Sequence, residues 1–288
     1  MSKKVSVVIC TYNRAKRLRN TIESLLKQTY NNCELIVIDN ASKDNTAVVI
    51  AEYEKVKYVL ESRVGVSNAR NAGIENSIGK YVAYIDDDET VNSEWIENMV
   101  RALETYGADM ATGPVFPVYE KQPPYWMPRS FFEWGELESI VDKQKPYFIN
   151  RGFGTGNSIF RKSAIGGTRF RTELGRKGNS LVSGEDTVFV DELLSKGCKA
   201  LFVPGAKVYH QIPVDRLNLE WVTRRAFAEG VTEYRANGAK VILRRIHKPL
   251  LDLVALVFAG LTLRKKSICR RWLRFAQSCG VVFGWLVK

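Results

Sequence analysis

Tyr81-Val82-Ala83-Tyr84-Ile85 runs directly into Asp86-Asp87-Asp88. Five apolar residues after Gly79-Lys80 predict a strand buried on both faces. Side chains alternate along a strand, so Asp86 and Asp88 share one face and Asp87 takes the other wherever the extended geometry persists. Carboxylates at the C-terminal end of a parallel strand open onto the crevice in which α/β sheets bind ligands. Two of them on one side repel unless a cation or a shared proton lies between them. A divalent metal carrying phosphate answers that need. The competing reading is a solvated acidic turn leading into the helix that begins near Asn92-Ser93.

Strands and helices alternate on either side of this segment. Val5–Cys10 reads as a strand and Arg14–Lys27 as an amphipathic helix bearing Leu18, Ile22, Leu25 and Leu26. Leu35–Ile38 is a second strand closing on Asp39-Asn40, and Asp44 is placed to cap a helix reaching about Glu54. Lys57–Leu60, a helix at Val66–Asn76, the quoted strand, a helix at Ser93–Tyr106 and a strand at Asp109–Gly113 complete the series. This alternation predicts a doubly wound, mostly parallel sheet. Asp39 and the acid triplet then face one crevice.

The pattern changes at residue 114. Residues 114–150 hold Pro114, Pro117, Pro123, Pro124, Pro128 and Pro146 among Tyr119, Tyr125, Trp126, Phe131, Phe132 and Trp134. Such a stretch is either a binding loop or lid, or an ordinary packed excursion. Gly152-Phe153-Gly154-Thr155-Gly156-Asn157 precedes a strand at Ser158–Arg161. It lacks the strand-to-helix setting of a phosphate loop, so close backbone approach to a substrate is the better use of its glycines. Gly184-Glu185-Asp186 opens a helix over Val188–Leu194. Strands at Ala200–Val203 and Ala206–Tyr209 follow, the second ending at His210.

Composition bounds the rest. The chain has 288 residues, 45% of them hydrophobic, which suffices for a large core and argues against disorder. Its formal charge of +12 is concentrated beyond residue 215, where 15 Lys/Arg face 4 Asp/Glu. The body is close to neutral and the tail strongly basic, which suits an anionic partner. Five cysteines, Cys10, Cys33, Cys198, Cys269 and Cys279, are odd in number and lack metal-type spacing. They fit a reducing compartment, with Cys10 and Cys33 as packing residues. The apolar stretch behind Met1-Ser-Lys-Lys is too short for a signal peptide.

Five pieces in order carry a resemblance. They are Ser6-Val-Val-Ile-Cys-Thr11-Tyr-Asn13-Arg14, Val37-Ile-Asp39-Asn40-Ala-Ser42-Lys-Asp44, Gly65-Val-Ser-Asn68-Ala-Arg70-Asn71-Ala-Gly73, Asp86-Asp-Asp88 and Gly184-Glu185-Asp186. Together, over roughly residues 4–211, the chain resembles family 2 glycosyltransferases of the GT-A fold. The resemblance implies a nucleotide-diphospho-sugar donor (usually UDP-linked), a divalent Mn²⁺ or Mg²⁺ ion, a hydroxyl acceptor and inversion at the anomeric carbon. It assigns Thr11 and Asn13 to the nucleotide, Asp39 to the base ring and Arg70 to the neighbourhood of the diphosphate. Asp86 becomes the ribose or diphosphate contact and Asp88 the metal ligand. Glu185 and Asp186 become the acceptor-side pair, with Asp186 the base. His210 matches a histidine that reaches the metal or the diphosphate in some relatives. Glu89, where many relatives carry a fourth acid, is a mild departure.

The chemistry asked of these residues is coherent. A cation on carboxylate oxygens offsets the charge that grows on a departing nucleoside diphosphate. A carboxylate across the sugar takes the acceptor proton, typically worth about 10²–10⁴-fold. Oxocarbenium character at the anomeric carbon follows by analogy with glycoside hydrolysis. Each site also has a structural reading. Asp39 can cap the helix at Asp44, Glu185-Asp186 can cap a helix, Arg70 can be a helix-face charge and His210 a core or surface histidine. Two other function classes stand beside the transferase: a sugar nucleotidyltransferase, and a non-catalytic nucleotide-sugar or glycan-binding scaffold. The stretch Thr11-Tyr-Asn13-Arg14 stands where a nucleotidyltransferase would carry a glycine-rich basic loop, and the full set of acids disfavours the scaffold.

The expected organisation is a glycosyltransferase domain at 1–215, divided into a nucleotide-sugar half (1–113) and an acceptor half (114–215), with a basic helical tail at 216–288. Leu219–Asn237 reads as a helix. The apolar runs Leu253–Leu263 and Phe275–Val287, separated by Arg264-Lys265-Lys266 and Arg270-Arg271, are too short to span a bilayer. They suit helices lying in an anionic membrane interface, or else a soluble helical hairpin. The expectation is a cytoplasmic enzyme, peripheral on the cytoplasmic membrane face, acting on a glycan or lipid-linked acceptor. No nucleic-acid-binding module is recognisable.

Overall fold

The computed structural model describes residues 3–127, 144–178, 180–261 and 265–286. The middle of the Pro- and aromatic-rich stretch, 128–143, with Pro128, Phe131, Phe132 and Trp134, lies outside the described residues. The chain divides into two compact units. Described residues 3–117, 144–172 and 185–211 form the first; 118–127, 173–178, 180–184, 212–261 and 265–286 form the second.

The first unit is built on an eight-stranded sheet ordered β3-β2-β1-β4-β9-β6-β10-β8. Its strands are β1 (Val5–Thr11), β2 (Cys33–Asp39), β3 (Val56–Leu60), β4 (Tyr81–Asp86), β6 (Met110–Thr112), β8 (Tyr147–Ile149), β9 (Asn157–Arg161) and β10 (Ala200–Phe202). β3, β2, β1 and β4 are parallel, as are β6 and β10, whereas β9 and β8 run antiparallel to their neighbours. The mostly parallel expectation holds.

Period-two alternation sorts the core. Val5, Val7, Ile9, Val37, Ala83 and Ile85 point to one face, against Leu18, Ile22 and Leu25 of α1 (Ala15–Leu25) and Trp95, Met99 and Leu103 of α4 (Trp95–Tyr106). Ile50 of the short α2 (Thr46–Ala51) joins them. Val8, Ile36, Ile38, Val82 and Tyr84 point to the other face. There they meet Ala69, Ala72 and Ile74 of α3 (Val66–Asn76), Ile165 of α5 (Lys162–Ile165), and Phe189, Val190 and Leu193 of α6 (Glu185–Ser195). A strand buried on both faces must be apolar at every position, which is why β4 reads as an unbroken run.

Two features depart from the expected series. β9 inserts antiparallel between β4 and β6, so the strand at residue 110 is not β4's neighbour. A second, three-stranded sheet also forms, ordered β5-β11-β7 from β5 (Glu89–Val91), β11 (Val208–Ile212) and β7 (Val115–Tyr119). β7 and β8 occupy both ends of what was expected to be a loop at 114–150. Pro117 is tolerated in β7 because that strand is an edge.

The second unit is helical: α7 (Leu219–Asn237), α8 (Ala239–Arg245), α9 (Lys248–Leu261) and α10 (Lys265–Leu286). Asn218 caps α7, its side chain accepting from the Trp221 N–H. α10 buries Cys269, Leu273, Ala276, Gly280 and Val281. Its crossing with α7 is very close. A Cβ at Gly230 would lie 1.9 Å from the Gln277 carbonyl oxygen, and one at Gly280 2.0 Å from that of Phe227. The run beginning at Phe275 turns much of its apolar surface inward, onto α7, while Phe283, Trp285 and Leu286 stay exposed. Gly230→Ala or Gly280→Ala forces backbone from backbone. We expect a loss of about 1–3 kcal/mol each, read as a lowered denaturation midpoint. No described helix is long and apolar enough to cross a membrane.

Candidate functional site

Register brings the strand ends together. Thr11 stands opposite Asp39, Asp39 opposite Leu60, and Cys10 opposite Asp86. The C-terminal ends of β1, β2 and β4 thus share one edge, and the order reverses direction at β1.

β4 ends at Asp86, so the acid triplet does not continue extended, and the expected pairing of Asp86 with Asp88 gives way to another. The Asp86 side chain is 48% exposed. Asp87 and Asp88 turn inward and are both buried. The Arg14 guanidinium joins them, 2.7 Å from Asp87 Oδ1 and 3.0 Å from Asp88 Oδ2. Thr11 Oγ1 donates to Asp87 Oδ2 at 2.8 Å. Burial pushes the Asp87 carboxyl up, and Arg14 opposes that shift. The cation that such a cluster demands is partly supplied by the protein itself.

β5 follows at once and pairs antiparallel with β11, placing His210 opposite Glu89. His210 Nε2 consequently lies 3.5 Å from Asp88 Oδ1. Glu89 is buried, and desolvation together with Asp86 and Asp88 raises its carboxyl well above the usual range. Its Oε2 accepts the Asp86 N–H at 3.1 Å. Among the described residues no group of three or more His, Cys, Asp or Glu side chains forms a complete metal cage. Asp88 and His210 offer one carboxylate and one imidazole. With an imidazole in it, the pair fits Mn²⁺, completed by phosphate and water, better than Mg²⁺, which takes oxygen ligands.

The loops after β1 and β2 are stapled to each other. The Asn13 N–H donates to Ser42 Oγ at 2.9 Å, and Asn13 Oδ1 accepts the Lys43 N–H at 2.7 Å. Asn13 and Ala41 hold φ values of 53° and 62°, a left-handed conformation that costs non-glycine residues energy and often marks functional loops. Asp44 accepts the Thr46 N–H at the start of α2 and the Ala15 N–H at the start of α1. Asp39 is buried; its Oδ1 accepts the Ser42 N–H at 2.9 Å and its Oδ2 the Tyr58 hydroxyl at 3.1 Å. Each oxygen keeps a second lone pair.

Arg70 is the junction of the site. It projects from α3, packs over the Phe170 ring at 5.6 Å, binds Glu185 Oε1 and lies 3.5 Å from Asp86 Oδ1. The triplet and the Glu185-Asp186 pair, a hundred residues apart, meet on one guanidinium. Glu185 is buried, and its Oε2 has no hydrogen-bond partner among the described residues. Burial raises its carboxyl while Arg70 pulls it back. Asp186, one residue further along α6, is part-exposed and accepts the Thr187 N–H at 2.8 Å.

The glycine run threads between the two acid groups. A Cβ at Gly154 would lie 3.4 Å from Asp186 Oδ2, and one at Gly156 2.9 Å from both Asp86 Oδ2 and Glu89 Oε2. Its close approach is to the site's own carboxylates. The expected residues Thr11, Asp39, Arg70, Asp86, Asp88 and His210 gather at this edge. Arg14, Asp87 and Glu89 join them without having been assigned a role. Arg14 stood within the Thr11–Arg14 motif, and that position was the available signal.

Comparisons with known proteins identify the family and the fold. The model of the family described as glycosyl transferase family 2 matches residues 6–167. The succinoglycan biosynthesis protein ExoM of Rhizobium meliloti (strain 1021) is 31% identical over 241 residues, covering 80% of this chain and 74% of the relative. A glucosyl-dolichyl phosphate glucuronosyltransferase of Haloferax volcanii is 28% identical over 244 residues, covering 80% and 76%. Among solved structures, GalNAc-T7 with UDP, GalNAc and Mn²⁺ superposes with a TM-score of 0.57 at 20% identity, over 80% of this chain and 48% of that one. The structural likeness identifies the fold as GT-A.

Proposed function

The chain belongs to glycosyl transferase family 2, and on that premise we propose a division of labour for its sugar transfer. The donor is a nucleotide-diphospho-sugar, UDP-linked, bound in the half formed by residues 1–113. The acceptor is a hydroxyl of a glycan or lipid-linked glycan, met by residues 114–215. The products belong to polysaccharide, glycolipid or cell-envelope glycan synthesis. The two relatives named for succinoglycan biosynthesis and for a dolichyl phosphate substrate favour that class. A lipid-linked acceptor in turn places the enzyme on the cytoplasmic membrane face, with the basic residues beyond 216 toward anionic lipid.

The observation that carries the reading is Arg70. It holds Asp86 on the donor side and Glu185 on the acceptor side, so leaving group and nucleophile are managed within one cluster. Asp39 accepts from the base ring; Thr11 and Asn13 shape the loops around the nucleotide. Asp86, half-exposed, meets ribose or diphosphate. Asp88 and His210 hold a Mn²⁺ or Mg²⁺ ion, which when bound supplies positive charge to the leaving diphosphate. Asp186 Oδ2 takes the acceptor hydroxyl's proton as that oxygen attacks the anomeric carbon from the face opposite the diphosphate, giving inversion. Glu185 keeps Arg70 in place.

A panel of nucleotide-sugars, assayed for divalent-metal-dependent release of nucleoside diphosphate, tests this. We expect turnover of a UDP-sugar, lowered on the order of 100-fold or more by Asp88→Ala. Pyrophosphate release from a nucleoside triphosphate would instead identify a nucleotidyltransferase. Binding without turnover would identify a scaffold.

A further inference from the structure

α9 is turned inside out for a helix of a water-soluble unit. Leu250, Leu253, Val254 and Val257, spaced i, i+3, i+4 and i+7, form one stripe. They are 68%, 42%, 47% and 61% exposed, and Leu251 beside them is 57% exposed. The one acid of the helix, Asp252, faces the other way, where its Oδ2 accepts from Ser278 Oγ of α10 at 2.6 Å. An amphipathic helix of a soluble fold shows the opposite arrangement. α10, the other apolar run of the tail, buries its small and apolar stripe on α7. The two runs look alike in composition; α10 leaves Phe283, Trp285 and Leu286 exposed towards its C-terminus, whereas the exposed stripe of α9 runs from Leu250 to Val257.

The charge around the stripe selects the occupant. Lys248 is exposed at the start of α9, and Lys265 and Lys266 are exposed at the start of α10. Between residues 240 and 288 the chain carries no acid other than Asp252. A second copy would bring an equal positive field against this one. An anionic surface with an apolar interior is complementary to it on both counts.

We propose that α9 is the membrane-docking helix of this enzyme, seating its Leu/Val stripe in the interface of an anionic bilayer while α10 serves as the packed strut behind it. The assignment rests on the lipid-linked-acceptor reading only for the reason a membrane is visited. It requires neither a spanning helix nor any change in the catalytic unit.

The test uses the full chain and sedimentation with vesicles of phosphatidylcholine alone or mixed with phosphatidylglycerol. The wild type partitions onto the mixed vesicles, more weakly as salt rises. The combined variant Leu250→Gln, Leu253→Gln, Val257→Gln loses partitioning on the order of 100-fold, with its melting temperature unchanged because those side chains are exposed. Lys248→Ala and Lys266→Ala each weaken binding about five-fold. Equal binding by the triple variant overturns the proposal, as does equal binding to neutral vesicles. Concentration-dependent dimerisation abolished by the triple variant, without vesicle binding, assigns the stripe to a second copy instead. Nucleoside diphosphate release measured without vesicles reports on the transferase reading separately. Its loss with vesicle binding intact counts against that reading and not against α9.

Discussion

Asp186→Asn will lower the rate of sugar transfer about 10²–10⁴-fold, the range lost with a general base, and will leave donor and metal binding in place. The substitution is isosteric and removes the capacity to take a proton. The donor-side contacts proposed above, at the ends of β1, β2 and β4 with Arg70 and His210, do not include Asp186. Geometry separates the two members of the pair. Glu185 is buried at 4% exposure with Oε1 committed to Arg70, so a proton delivered to it would break an enclosed ion pair. Asp186 fixes Oδ1 on the Thr187 N–H and turns Oδ2 towards the backbone at Gly154, where no side chain intervenes. The check is an initial-rate assay at saturating donor beside a calorimetric titration with nucleoside diphosphate and Mn²⁺. Full transfer by Asp186→Asn, with loss in Glu185→Gln, would move the base one residue back.

The reach of the sequence follows from what periodicity encodes. β1, β4 and α3 fall close to their expected bounds, because an apolar run or a repeating face is a local signal written over many residues. β5 is three residues long and could not declare itself, yet it is the element that aligns His210 with Asp88. The insertion of β9 between β4 and β6 is a matter of sheet order, which no local pattern carries. Contacts distant in sequence were hidden for the same reason. Arg14 reaches Asp87 across 73 residues and Arg70 reaches Glu185 across 115. Motif order placed those residues in a common site without saying that each cation was already engaged by an acid. The acid triplet shows the limit well. Alternation is a property of strands, and the strand stops at Asp86, so the shared partner falls to Asp87 and Asp88 instead. In the tail, Ala226 with Gly230 and Ala276 with Gly280 are small residues at i and i+4.

Arg70→Gln should be the most destabilising single change at the site, and its cost should depend on pH. Arg70 is buried between Glu185 and Asp86, so its removal leaves the Glu185 carboxylate enclosed without a counter-charge. Breaking a buried pair from one side costs about 3–5 kcal/mol. Burial already raises the Glu185 carboxyl, and Arg70 is the group that restrains the rise. In the variant the folded-state pKa moves higher still, while the unfolded value stays near that of an ordinary glutamate. The folded protein then binds a proton that the unfolded chain has released. Stability of the variant accordingly falls as pH rises from the unfolded pKa through the raised folded one. Below that window Glu185 is neutral in both states and the penalty largely disappears. Urea denaturation midpoints of wild type and variant, compared from weakly acidic to neutral pH, should therefore diverge as pH increases. A gap of constant size would mean that Arg70 acts through packing on Phe170, and the charge argument for the junction would fail. Glu185→Gln in the same background separates the two cases. It removes the titrating group, so the double variant recovers stability at neutral pH only if an unpaired carboxylate was the cause.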